Sequence, residues 1–186
     1  MVNNLQELLS SRCCDTLALE RDFATLNVQM VQEVKNPQLK TILEQHGRAL
    51  EVERKNLEQI IDKLGSEQPV PVTGGFLSLF GVRTTAPGEN LGEEIGHDIV
   101  EAHKKFVDNN AWKLVDANDA LLEEEVTHFN LGNYTGLIVL AKQCGQFEIA
   151  NMLQQIIDNE SQIRSQLETT LPMILANAGG EGKMAA

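Results

Sequence analysis

The chain has 186 residues, enough for one domain with a sizeable core, and its 42% hydrophobic and 23% charged residues are ordinary for a soluble globular protein. With 27 acidic against 15 basic residues the net charge is −12, which excludes nucleic acid as a partner and disfavours an anionic membrane surface. No run of roughly twenty apolar residues spans a bilayer, and the opening MVNNLQELLSS lacks the basic start and apolar run of an export signal. Three cysteines, an odd count with Cys13 and Cys14 adjacent, suit a reducing cytoplasm better than a disulfide framework.

In chain order, Asn4 to Lys35 contains neither Gly nor Pro, and Leu5, Leu9, Phe23, Met30 and Val34 recur at helical steps. KNPQLK then stops one helix and starts another, with Asn36 as cap and Pro37 at the first helical position. The second helix is predicted from Pro37 to Leu64, with Leu43, Leu50, Leu57, Ile60 and Leu64 on its apolar stripe and Gly65 as its stop. The stretch from Gly65 to Asn90 is rich in Pro, Gly and Thr and reads as a long crossover. Within it GGFLSLFG, carrying Phe76 to Phe80, is expected to cover an end of the bundle or to offer a patch for a partner. A short helix is predicted around Leu91 to Phe106 and a third long one from Ala111 to Gln143, with Leu122, Val126, Phe129, Leu137 and Leu140 inward. QCGQ marks a turn at Gly145, and the fourth long helix runs from Phe147 at least to Thr170, where Pro172 is expected to kink or end it. Two hairpins joined by one long crossover predict an all-α, ferritin-like antiparallel four-helix bundle over residues 1–175, with 176–186 as a flexible tail.

The chemistry lies in polar residues that interrupt the apolar stripes. In MLQQIIDNESQIRSQL, Glu160 falls on the stripe of Met152, Ile156, Ile163 and Leu167, where a carboxylate is costly unless paired. Glu20 interrupts the first helix on the face of Thr16, Phe23 and Asn27, and His46 and Glu53 stand seven residues apart on the second. On the third, His128 follows Glu125 at a glutamate–x–x–histidine spacing. Carboxylates and imidazoles converging inside a bundle suit iron or manganese ions, so Glu20, His46, Glu53, His128 and Glu160 are the candidate ligands, with Glu125 in reserve. The plainer readings stand beside these: a lone Glu pairs with Arg21 or Arg164, and His46 is a satisfied core histidine. Glu123–Glu124–Glu125 is a solvated face with only Glu125 near the seam, Cys13 is core, and His97, His103 and Glu101 are a loosely spaced set on the short helix.

Several short stretches in order carry a resemblance over about residues 5 to 170: DTLALERDF with Glu20, NPQLKTILEQH with His46, LEQIIDKLG, THFNLGNY with His128 and Tyr134, and AKQCGQFEIANMLQQIIDNES with Glu160. Together they resemble the YciF-type family of bacterial ferritin-like, stress-associated proteins. The resemblance implies a four-helix ferritin-like bundle, a homodimer and a dinuclear metal site, with no settled reaction. The chain departs from the pattern at Thr127 and Asn130, at Arg48, Ala49 and Glu53, and at Arg164. Fewer carboxylates and added guanidinium groups imply a degenerate site, in which Arg48 or Arg164 pairs with Glu53 or Glu160 in place of metal. The sequence therefore leaves two expectations: a stress-response protein binding iron or manganese, or a metal-free structural or interaction module on the same fold.

Overall fold

The computed structural model describes residues 4–65 and 91–179, with side chains placed from residue 99 in the second span. Five helices follow one another: α1 Leu5–Glu33, α2 Pro37–Leu64, α3 Leu91–Asn109, α4 Trp112–Gln143 and α5 Phe147–Gly179. Their ends follow from local chemistry. The Asn4 side chain accepts from the Glu7 amide, and Asn36 accepts from Gln38 and Leu39, with Pro37 where no amide donor is needed. Gly65 closes α2 at a φ of 66°. At the other turn Gly145, at φ 72°, lets the Gln146 amide reach the Ala141 carbonyl at 2.9 Å while its own reaches Lys142 at 3.0 Å, which satisfies two carbonyls that the helix end would leave free.

α1 with α2 and α4 with α5 form two antiparallel hairpins, joined by the crossover that contains α3, and α3 lies mainly along α1. This is the ferritin-like bundle expected. Pro172, however, neither ends nor shortens the last helix, which continues to Gly179 because Ile174 is buried and Leu171 and Ala178 pack against the core beyond it. Tertiary burial there outweighs the roughly 3 kcal/mol that an interior proline costs. The GGFLSLFG stretch and the last seven residues lie outside the described residues.

The core has two apolar halves. One gathers Phe23, Leu26, Met30, Leu39, Leu43, Leu50, Val126, Ile163 and Leu167. The other gathers Leu9, Cys13, Leu57, Ile60, Tyr134, Leu137, Leu153 and Ile156. Each long helix passes from one half to the other through a short polar stretch, and those stretches meet in the middle of the bundle.

Candidate metal centre

Four buried carboxylates occupy that middle layer, one from each long helix: Glu20, Glu53, Glu123 and Glu160, each at most 1% exposed. His46 stands among them, fully buried, with Nδ1 2.5 Å from Glu123 Oε1 and Nε2 3.2 Å from Glu160 Oε1. The Asn130 amide donates to the same Glu160 oxygen at 2.8 Å, and the Tyr134 hydroxyl donates to Glu20 Oε1 at 2.8 Å. Both donors come from α4, one helical turn apart.

The electrostatics follow from burial. Loss of water, then the charge of Glu160, pushes Glu20 up to about 8 against the Tyr134 hydrogen bond. Burial and the charges of Glu160 and Glu20 push Glu53 up to about 10, so at neutral pH both carboxyls hold protons. Burial alone would lower His46, but the charge and hydrogen bond of Glu123, with those of Glu160, outweigh it and set its pKa well above the ordinary value. His46 is thus held between Glu123 and Glu160, beside the two carboxyls of Glu20 and Glu53 that burial pushes up.

Of the residues expected from sequence, Glu20, His46, Glu53 and Glu160 are brought together. His128 is not: its side chain is 48% exposed and its Nδ1 lies 2.9 Å from the Glu124 carbonyl oxygen. Glu125 is exposed as well. The inner face of α4 instead carries Asp116, Asp119, Glu123, Thr127, Asn130 and Tyr134. From Glu123 to His128 is five residues, about 140° around the helix, which turns the imidazole out of the seam. Glu123, expected in a solvated run, is thus the residue that sequence reasoning missed. The seven-residue steps Asp116–Glu123–Asn130–Leu137, matching His46–Glu53–Ile60 on α2, carried the signal.

The expected arginine pairs are absent too. Arg48 is exposed, Arg164 lies 2.6 Å from Glu168 and 3.8 Å from Glu124, and Arg21 lies 3.9 Å from Glu58. Among the described residues no Lys or Arg forms an ion pair with the four central carboxylates. His103, placed loosely with His97 and Glu101, forms a separate buried pair with Asp119, Nε2 to Oδ1 at 2.9 Å, while Glu101 is exposed beside Lys105.

Five oxygens of the layer, Glu20 Oε2, both oxygens of Glu53, Glu160 Oε2 and Asn130 Oδ1, accept from no amide, hydroxyl or ring nitrogen, and the hydrogen bond of Glu53 is made with Glu160 through a carboxyl proton. Two carboxyl protons do not serve them all, and a buried acceptor left over costs about 1–3 kcal/mol. Hard oxygens of this kind fit a divalent cation. The side chains are drawn together on protons and hydrogen bonds as they stand, and among the described residues no three His, Cys, Asp or Glu side chains form a ready-made metal cage.

Comparison with known proteins agrees with the architecture. The chain superposes on the E. coli stress protein YciF with a TM-score of 0.72 at 14% identity, covering 95% of this chain and 98% of that one. YcfI from Rhodopseudomonas palustris gives 0.69 at 18% identity, covering 90% and 95%. A Xanthomonas campestris protein gives 0.72 at 16%, covering 97% and 100%. At these identities the likeness shows the shared fold. No curated protein matches the sequence. Residues 4–74 and 89–178 match the family described as a domain of unknown function, DUF892, and the chain belongs to that family.

Proposed function

We propose that this protein is a stress-associated, ferritin-like bundle protein that takes one divalent cation, iron or manganese, into the central carboxylate layer. The observation that carries the proposal is the convergence of the Glu20, Glu53 and Glu160 carboxyls from three helices on one buried place, where Glu20 Oε2, both Glu53 oxygens and Glu160 Oε2 accept from no amide, hydroxyl or ring nitrogen. Glu20, Glu53 and Glu160 would hold the ion, and His46, steadied through Nδ1 by Glu123, borders it. When bound, such an ion supplies a Lewis-acid or redox centre. The residues around it exclude water, and the Tyr134 hydroxyl and Asn130 amide hold one oxygen each of Glu20 and Glu160. The association with stress rests on the fold shared with YciF.

The test is metal content by mass spectrometry after anaerobic loading with iron(II) or manganese(II) and gel filtration. About one ion per chain, lost in Glu53→Ala, is the expected result. A stoichiometry near zero for both metals in a folded wild type would rule the proposal out.

A second reading is favoured by the hydrogen bonds that already join His46 to Glu123 and Glu160, Asn130 to Glu160 and Tyr134 to Glu20. A metal-free module needs only that protons on Glu20 and Glu53 stay where the ion would sit. Pairing of two copies into a homodimer is supported by apolar residues exposed along α4, namely Leu114, Leu121 and Val139, and is checked by light scattering on the eluting peak. Three free thiols, Cys13, Cys14 and Cys144, suit a reducing, cytoplasmic setting, and no helix among the described residues is long and apolar enough to cross a membrane.

A further inference from the structure

Glu125 and His128 turn away from the central layer, and the face they occupy differs from an ordinary solvated one. With Leu114, Leu121, Gly132 and Val139 they form an exposed stripe on α4, confined to about 60° of the helix and about 37 Å long. Three large apolar side chains are exposed there, and Glu125 is the single acid, although the chain has 27 acidic residues. The outward face of α2, by contrast, exposes Lys40, Glu44, Arg48, Glu51 and Lys55. Apolar side chains with few charges mark the centre of an interface. Gly132 adds a second sign. A glycine inside a helix is unfavourable and is kept where another group must come close. At Gly47 the fold itself needs the space, since a Cβ there would stand 2.5 Å from Asn27 Oδ1. At Gly132, and one turn on at Gly136, a Cβ would meet nothing within 4 Å. The bundle by itself gains nothing from a glycine at 132.

The stripe is complementary to itself when a second copy of α4 runs antiparallel along it. A two-fold axis at the level of Val126 and Thr127 sets Leu114 against the partner's Val139, Leu121 against the partner's Gly132, and Glu125 against the partner's His128. Large then meets small, and acid meets imidazole, each contact occurring twice. Charge selects this register. A slide of one turn in one direction brings the two His128 rings together, and in the other it brings Glu124 and Glu125 of both copies together. We propose that two copies of this chain pair through the outer face of α4, antiparallel and in this register, with Leu121 seated over Gly132 and Glu125 paired with His128 across the axis. This rests on the pairing of two copies proposed above and gives it a face, a direction and a register. His128 is held for the role within its own chain. Its Nδ1 lies 2.9 Å from the Glu124 carbonyl oxygen and 3.1 Å from the Glu124 carboxylate, which leaves Nε2 for the partner's Glu125.

The test is sedimentation velocity of the full chain over a range of concentrations, with thermal unfolding followed by circular dichroism on every variant. The wild type is expected to dimerise. Gly132→Leu meets nothing in its own chain and is a better helix former, so it should fold at least as well as wild type while weakening the dimer by roughly tenfold or more. His128→Glu sets acids face to face and should weaken the dimer on the order of tenfold. Adding Glu125→Lys to that variant should restore the dimer, whereas Glu125→Lys alone should not tighten it. A Gly132→Leu chain that pairs as tightly as wild type would overturn the inference and leave the pairing reading standing. So would a double variant no tighter than His128→Glu, or tightening by Glu125→Lys alone. A wild type that stays monomeric at every concentration removes both.

Discussion

Glu53 is the residue whose replacement says most about the central layer. Its folded pKa stands near 10 against 4.5 for an ordinary glutamate, so the folded chain keeps the proton while the unfolded chain releases it above pH 4.5. Stability from this group is therefore fully present below about pH 4.5 and is lost as pH rises through about 10. Each pH unit is worth about 1.4 kcal/mol, so holding the proton at a pH of about 7.5 costs roughly 4 kcal/mol. Glutamine has the same shape and is permanently neutral. Its amide also keeps a donor toward Glu160, in place of the hydrogen bond that the protonated Glu53 carboxyl makes there. Glu53→Gln should therefore stabilise chelated protein by about 2–4 kcal/mol at a pH of about 7.5, and by little at a pH of about 5. The assay is urea unfolding followed by circular dichroism at both pH values with chelator present. If the glutamine variant is less stable at the higher pH, or differs from wild type equally at both, Glu53 is not a buried protonated carboxyl.

Three further outcomes follow from the same structure. Cation binding must displace the protons held by Glu20 and Glu53, so up to two protons should leave per ion bound and apparent affinity should rise with pH; calorimetry in buffers of different ionisation enthalpy measures this. His103→Ala strands the fully buried Asp119 carboxylate, which should cost about 3 kcal/mol and raise hydrogen exchange in α3 before α5; uniform exchange across all helices would refute the role of the pair in seating α3. The buried Asp116 carboxylate accepts from the Lys35 and Asn36 amides at 2.9 and 2.8 Å, so Asp116→Ala should cost about 2 kcal/mol by leaving the α1–α2 turn unsatisfied, as thermal unfolding would report.

The helices and their ends were legible in the sequence because the causes are local. Asn36–Pro37, Gly65 and Gly145 act on their own neighbours, and the stripes of α1, α2 and α5 repeat apolar residues at bundle spacing, with Glu20, His46, Glu53 and Glu160 as visible interruptions. On α4 the apolar stripe was legible, since Val126 and Leu137 are buried and Leu122, Phe129 and Leu140 pack against the core, but the acid was not. The glutamate–x–x–histidine spacing favoured Glu125 and His128, which are exposed, whereas Asp116, Asp119, Glu123, Thr127 and Asn130 interleave with the buried apolar residues of the same helix. Pro172 was read by its local cost, and packing of Ile174 overrode it.

Sequence by itself determined an all-α bundle of two hairpins and the presence of acids in its seams. Only the tertiary structure decided which acids meet, that His46 is spent on Glu123 and Glu160, and that no arginine among the described residues forms an ion pair with them. Those choices depend on how four helices turn about their axes against one another, and a single chain's periodicity does not encode a partner's rotation where the contact is made by polar atoms.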